Sequence, residues 1–286
     1  MCVAASMSAN PKRIQKRPGA NANSRIFAVC RGAALGWAAA LWVAACCAQA
    51  PSPKVPALGD GETLTYSVRW GIIPAVGKIV ISAVSLGSGN DAVLRVTTTT
   101  STWGLARGLF PFDGRGESVY NARSGLLVSS SEWSSYRDKV VKDSVTFNYG
   151  KSTAEFTDDV HPENTRAIPM PAGDPSDLII ALIQTRSWGL RPGEKRDALV
   201  IFKDQFYPLT IHAEGYEYIW TTLGVFKTLV LVPRMEETPP VGMFRHGSTV
   251  KVWIDMDDER HLPVRFQVGF GFGSGTASLT DYSRPK

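Results

Sequence analysis

The stretch that decides the fold is Thr63-Leu64-Thr65-Tyr66-Ser67-Val68-Arg69-Trp70. Its residues alternate strictly, so that Leu64, Tyr66, Val68 and Trp70 share one face. A period of two residues is typical of a β-strand that is buried on one face and solvated on the other. The stretch therefore predicts a half-buried strand of an antiparallel sheet.

Similar segments follow along most of the chain, separated by turns such as residues 87–91 and 121–125. One helix is predicted after Asp174-Pro175-Ser176-Asp177, with Asp174 as the N-cap and an apolar stripe that ends near Gly189. Strands and helices do not alternate, which argues against a doubly wound fold. The expected fold is all-β with one main helix: roughly ten to twelve antiparallel strands in a meander that curls into a barrel or half-barrel.

The segment before Pro51 has a different composition. A basic stretch, residues 12–31, precedes an apolar run, residues 32–45, which is the order of parts in a secretion signal. Residues 1–50 contain six basic residues and no acidic one, whereas the rest of the chain has 25 basic and 26 acidic residues, a net charge of −1. The overall charge of +5 therefore belongs to the leader. Nucleic-acid binding is not expected, because it needs a basic surface on the folded domain.

The end of the leader allows two interpretations. Ala48-Gln49-Ala50 has the form of an ordinary signal-peptidase site, whereas Val43-Ala44-Ala45-Cys46 resembles a lipobox, in which Cys46 would carry a lipid that holds the protein on a membrane. Both predict a protein of the Gram-negative periplasm or of the periplasmic face of the outer membrane. All four cysteines lie in the leader, so no disulfide framework is expected after it.

The predicted organisation has three parts. Residues 1–50 are a signal peptide of the ordinary or the lipoprotein type, and residues 51–61, rich in Pro and Gly, are a linker. Residues 62–284 are predicted to form a single β-rich domain, since this length is sufficient for one large core.

Polar residues give no catalytic pattern. The four histidines, His161, His212, His246 and His261, are widely spaced, so no metal site is predicted, and the acidic stretch 255–259 is interpreted as a charged hairpin turn. No catalytic residue and no cofactor is predicted. A hydrolase of envelope polymers remains an alternative if the strands bring together two of the carboxylates of Glu117, Glu132 and Asp143.

Aromatic residues are numerous for one domain. Two interpretations remain: they fill a large β core, which is the favoured one, or some of them line an apolar cavity between the sheet and the helix. The residues concerned are Trp70, Trp103, Phe110, Phe112, Trp133, Tyr136, Trp188, Trp220 and Trp253.

A series of short motifs resembles a known family. Gly61-Glu62-x-Leu-x-Tyr66-x-Val-x-Trp70 opens the series, Asp177-Leu178 and Arg186 lie in the predicted helix, and Val252-Trp253-Ile254 and Leu262-Pro263-Val264-Arg265 come near the end. In this order the motifs resemble the bacterial exported family catalogued as domain of unknown function 3108. The resemblance implies an envelope-associated β-rich domain, without an assigned activity or a catalytic set to carry over.

Export, the absence of a catalytic pattern and the aromatic residues lead to the main hypothesis. The protein is expected to be a non-enzymatic module that binds a lipid, another apolar or amphipathic ligand, or an envelope partner on the concave face of the curled sheet. The alternatives are the carboxylate-dependent hydrolase and a structural envelope scaffold.

Overall fold

The structure, a computed structural model, describes residues 57–271 and 273–286. Its helices are α1 (Gly104–Leu109) and α2 (Leu178–Gln184), and short 3₁₀ turns lie at Gly89–Asp91, Pro162–Asn164, Thr185–Ser187 and Gly242–Phe244. The strands are β1 (Thr63–Trp70), β2 (Ile73–Leu86), β3 (Val93–Thr102), β4 (Phe112–Asn121), β5 (Leu127–Tyr136), β6 (Lys139–Asn148), β7 (Thr153–Asp158), β8 (Arg166–Pro169), β9 (Ser176–Asp177), β10 (Lys195–Phe202), β11 (Gln205–Thr221), β12 (Gly224–Arg234), β13 (Thr249–Asp255), β14 (Pro263–Phe270) and β15 (Gly273–Ser283).

These strands form one curled 15-stranded sheet in the order β8-β7-β6-β5-β4-β3-β2-β1-β15-β14-β13-β12-β11-β10-β9. Only β9 and β10 pair in parallel, so the predicted antiparallel meander is confirmed. The first and last strands meet at its centre, and β8 and β9 are its edges. Side chains connect the β8 side to the β10–β11 turn: Arg166 forms an ion pair with Asp204, and the rings of Phe147 and Phe206 lie 6.4 Å apart. The strands outnumber the predicted ten to twelve, because short pairings such as β8 and β9 have little pattern of their own.

The main helix begins later than the sequence predicts. Its N-cap is Asp177, whose Oδ1 accepts hydrogen bonds from the backbone N–H groups of Ile179 (2.9 Å) and Ile180 (3.2 Å). The prediction of Asp174 as the N-cap is wrong, because Ser176 and Asp177 pair with β10 and are therefore extended. A carboxylate that accepts these otherwise unsatisfied N–H groups stabilises the helix by about 1 kcal/mol.

Helix α2 covers one part of the concave face of the sheet. Its buried residues Ile180, Leu182 and Ile183 belong to the main core, together with residues of β1–β3 and β11–β15. An ion pair fixes the turn that follows α2, because both guanidinium Nη atoms of Arg186 contact the carboxylate of Glu62, at 2.7 and 2.9 Å. Glu62 is only 1% exposed, so this pair is shielded from solvent.

The first described residues pack against the sheet. Leu58 is fully buried, the Asp60 side chain accepts a hydrogen bond from the backbone N–H of Ser85 at 2.7 Å, and the backbone N–H of Lys286 donates to the Asp60 carbonyl at 2.8 Å. The last five residues of the predicted linker are therefore part of the folded unit. The predicted signal peptide, including Cys46, lies outside the described residues.

Membrane-spanning helices were also sought. Within residues 57–271 and 273–286, no helix has both the length and the apolar character needed to cross a bilayer.

Candidate functional site

One row of side chains crosses the concave face from strand to strand. Residues directly opposite each other in neighbouring strands share a face, with Cβ atoms roughly 4.5–5.5 Å apart. The pairing of β1 to β6 therefore aligns Leu64, Ile81, Thr98, Gly116, Glu132 and Asp143. The row changes from apolar through small to acidic, so the concave face has two chemically different halves.

The apolar half, formed by β1, β2 and β11–β15, is filled by α2. Two cavities there have volumes of about 20 Å³ each. A space of this size holds one water molecule but not an acyl chain. One cavity is lined by Tyr66, Ile79, Ile81, Thr98, Thr100, Ile179 and Phe266, and the other by Thr185, Arg186, Gly189, Leu190, Leu229, Leu231, Ile254, Met256 and His261.

The acidic half, formed by β4–β7, contains two carboxylates on adjacent strands. Glu132 on β5 lies directly opposite Asp143 on β6, and both side chains are partly buried. Burial, followed by the nearby charge of Glu132, raises the pKa of Asp143 to about 7, against the lowering effect of Lys203. Asp143 therefore holds a proton for part of the time at neutral pH.

A third carboxylate, that of Asp177, reaches the same region. Burial raises its pKa to about 6, the backbone N–H groups at the start of α2 oppose the rise, and the charge of Glu132 adds to it. Glu132 thus interacts electrostatically with both Asp143 and Asp177. We refer to Glu132, Asp143 and Asp177 as the carboxyl cluster.

Small side chains surround the carboxyl cluster. On the concave face, Gly116, Ser118, Ser130 and Ser134 occupy β4 and β5 next to Glu132. A Cβ atom built on Gly116 would have the Ser131 carbonyl oxygen, at 3.9 Å, as its one neighbour within 4 Å. A side chain larger than glycine would therefore fit at position 116 beside Glu132, whereas Ser118 and Ser134 are buried.

The structure separates the three carboxylates that the sequence singles out for a hydrolase. Glu132 and Asp143 come together, whereas Glu117 points to the opposite face and forms ion pairs with Arg95 and Arg115, both at 3.3 Å. Sequence analysis missed Asp177 as a member of the site because it placed this residue inside the helix. The signal that could have identified it is its position just before the apolar run of α2.

The histidines and the acidic stretch 255–259 do not come together in one site. His161 contacts Glu163, His212 contacts Glu236, and His261 Nδ1 lies 2.9 Å from the Asp255 carbonyl oxygen. In the described part of the chain, no three His, Cys, Asp or Glu residues form a group that could hold a metal ion. The acidic stretch 255–259 begins the turn between β13 and β14.

The aromatic residues divide between the interior and the surface. Trp253 is buried, and its indole N–H donates to Glu217 Oε2 at 2.9 Å. In contrast, Trp103, Trp133 and Trp220 are 43%, 41% and 69% exposed. Core filling therefore explains only part of the set.

The fold and the site define a class: a barrel-like curled sheet whose concave face carries buried apolar clusters and, on β5 and β6, a pair of carboxylates. The chain matches the family described as protein of unknown function (DUF3108) over residues 65–280, and it belongs to this family.

One solved structure shows the same kind of fold. A beta-barrel-like protein of domain of unknown function DUF1849 from Brucella abortus superposes with a TM-score of 0.50 at 7% identity, covering 80% of this chain and 99% of that one. A candidate exported protein with a YmcC-like fold from Bacteroides fragilis has 10% identity and a TM-score of 0.29, with 79% and 97% of the two chains covered. The first likeness supports the fold alone. No curated protein matches the chain.

Proposed function

We propose that this protein is an exported, non-enzymatic envelope module that binds an amphipathic ligand through the carboxyl cluster. The leader, residues 1–50, supports export to the periplasm or to the periplasmic face of the outer membrane. The ligand has an apolar part and a cationic or hydrogen-bond-donating head group.

One observation carries the proposal: Glu132 and Asp143 lie side by side next to the open space above Gly116. Two carboxylates this close repel each other when both are ionised, and a cation between them relieves the repulsion. The neighbouring part of the concave face is closed to a ligand, because Ile79, Ile81 and Phe266 are buried there. A head group at the carboxyl cluster would therefore leave an attached apolar part outside the packed apolar half.

The test uses two amphiphiles of equal chain length, dodecylamine and dodecanoate, below their micellar concentrations. Isothermal titration calorimetry on the full chain at pH 7.5 should give a Kd for dodecylamine at least tenfold lower than that for dodecanoate. The double variant Glu132→Gln/Asp143→Asn should lose this preference, whereas Glu117→Gln, which changes a carboxylate on the opposite face, should keep it. Equal Kd values for both amphiphiles, or a preference that survives in the double variant, would contradict the proposal.

The carboxyl pair also favours a second candidate, the hydrolase of an envelope polymer. A protonated Asp143 beside Glu132 has the form of an acid and its partner, the two groups that retaining glycosidases place roughly 5–5.5 Å apart. Release of soluble fragments from purified peptidoglycan by the wild-type chain and by Glu117→Gln, but not by Asp143→Asn, would establish this activity. Under the binding proposal no fragments are released by any of the three proteins.

A further inference from the structure

A group of large apolar side chains lies exposed at one end of the strands. It comes from the β1–β2 turn and from the segment around α1, and we call it the apolar rim. Ile72 is 99% exposed, Leu105 is 92% exposed and Leu109 is 65% exposed. Large exposed apolar patches on soluble domains mark interaction surfaces. The apolar rim consists of Ile72, Ile73, Trp103, Leu105, Leu109 and Phe110.

Hydrogen bonds join the segments that form the rim. The Trp103 indole N–H donates to the Ala75 carbonyl, and the Trp103 backbone N–H donates to the Val76 carbonyl at 3.2 Å. Arg137, from the β5–β6 turn, donates to the Leu109 carbonyl at 3.2 Å. The turns after β1, β3 and β5 therefore form one connected surface.

Helix α1 presents its leucines to solvent in a fixed orientation. Leu105 and Leu109 are four residues apart and thus share one face of the helix, which has no buried residue. Arg107 holds the helix to the sheet through two hydrogen bonds to the Asp113 carboxylate, at 2.9 and 2.6 Å, and one to the Thr102 carbonyl at 3.1 Å. The exposure of the leucines is therefore built into the local structure.

The charge around the rim differs from that of the rest of the protein. The segments that form and flank it, residues 69–78, 103–115 and 136–140, contain six basic residues and two acidic ones, a net charge of +4. Since residues 51–286 together have a net charge of −1, the remainder carries −5. Positive charge is thus concentrated around the apolar side chains. The basic residues are Arg69, Lys78, Arg107, Arg115, Arg137 and Lys139, and the acidic ones are Asp113 and Asp138.

From this combination we propose that the apolar rim inserts into the surface of an anionic lipid bilayer. Apolar side chains enter the boundary between head groups and acyl chains, and Trp103 is suited to the interface itself. Basic side chains around the rim, Lys78, Arg137 and Lys139 among them, contact lipid phosphates, whereas Arg107 and Arg115 form ion pairs with Asp113 and Glu117. This contact needs neither the carboxyl cluster nor a lipid on Cys46.

Hydrogen–deuterium exchange of the full chain with vesicles tests the proposal, because it reports each segment separately while the leader is present in every sample. Vesicles of phosphatidylcholine and phosphatidylglycerol in a 3:1 ratio should slow exchange at residues 71–76 and 103–110 at least fivefold, and pure phosphatidylcholine vesicles should do so much less. The β11–β12 turn, at the other end of the strands, should not change.

Matched variants separate the rim from other lipid contacts. Ile72→Ser/Leu105→Ser should abolish the protection of both rim segments, whereas Val84→Ser, which changes an exposed valine on β2, should retain it. Circular dichroism verifies that each variant is folded. Three results would overturn the proposal. The first is unchanged exchange at the rim when the protein is bound to vesicles, and the second is equal protection by both vesicle types. The third is protection of the rim by an envelope protein in place of lipid.

Discussion

The two halves of the concave face are built from the same type of strand but differ in what covers them. In the apolar half, Leu64 and Tyr66 are fully buried beneath side chains of α2 and the facing strands. In the acidic half, Gly116 has room for a larger side chain, and Glu132 and Asp143 are only partly buried. Both halves contribute to the stability of the fold, because β5–β7 carry a second buried cluster that includes Leu127, Phe147 and Phe156, and the acidic half differs in also holding partly buried carboxylates.

This difference is also electrostatic. The apolar half contains one buried charge pair, Glu62 and Arg186, in which each charge is compensated at close distance. In the acidic half, burial and the charge of Glu132 raise the pKa of Asp143 and of Asp177, with Lys203 as a nearby base of Asp143. Compensated charges are typical of structural positions, whereas uncompensated charges with shifted pKa values are more frequent at functional sites.

The largest effect is expected from breaking the buried pair. Arg186→Met leaves the Glu62 carboxylate without its partner, and loss of one member of a buried ion pair lowers the free energy of unfolding by about 3–5 kcal/mol. Urea denaturation measures the loss. Arg115→Met, which removes an exposed partner of Glu117, should lower it by less than about 1 kcal/mol. Similar losses in both variants would mean that the Glu62–Arg186 pair contributes no more than a surface pair.

Asp143→Asn is expected to have a smaller, pH-dependent effect on the free energy of unfolding. The folded-state pKa of about 7 lies above the unfolded value of roughly 3.9, so the folded protein binds more protons and the wild type loses stability as the pH rises from about 4 to about 7. A shift of three pKa units corresponds to about 4 kcal/mol at most, and partial exposure reduces this to about 2 kcal/mol.

The variant should therefore be more stable than the wild type by about 2 kcal/mol at pH 8, and within about 0.5 kcal/mol of it at pH 4. Thermal unfolding at both pH values, with Glu117→Gln as the control, measures the difference. If Asp143→Asn gives the same stability difference at both pH values, Asp143 titrates normally and the acidic half is not electrostatically strained.

The smallest effects compare two glycines on the concave face. A Cβ atom on Gly77 would lie 2.7 Å from the Ser101 carbonyl oxygen, so Gly77→Ala must displace backbone and should cost about 1 kcal/mol. Gly116→Ala places its methyl group in open space and should change the free energy of unfolding by less than about 0.5 kcal/mol. A larger loss for Gly116→Ala would show that the acidic half is as tightly packed as the apolar half.

Part of the site could be predicted from the sequence. Strand β5 ends at Tyr136 and β6 begins at Lys139, which leaves Arg137 and Asp138 as a two-residue turn. Such a turn fixes the register of a hairpin, and this register alone places Glu132 opposite Asp143. The face to which Glu117 points could be known only from the structure, because β4 and β5 are joined by a longer loop and their register shifts near Tyr120.

The start of α2 shows where local signals fail. Asp174-Pro175 is a good helix opening on its own, yet Ser176 and Asp177 pair with Val200 and Ile201 of β10. The partner strand lies more than twenty residues away along the chain, so the local sequence does not predict this pairing. The same pairing brings Asp177 towards Glu132 and thereby completes the carboxyl cluster.

The sequence by itself determined most of the strands, their buried faces and the family, because alternation, turn residues and motif order are local properties of the chain. The faces predicted from Thr63–Trp70 hold, with Leu64 and Tyr66 fully buried. The tertiary structure decided which half of the concave face is filled by α2, which carboxylates meet, and which apolar side chains remain exposed on the rim. These outcomes depend on the curl of the sheet and on contacts between distant segments, and a local pattern does not encode them.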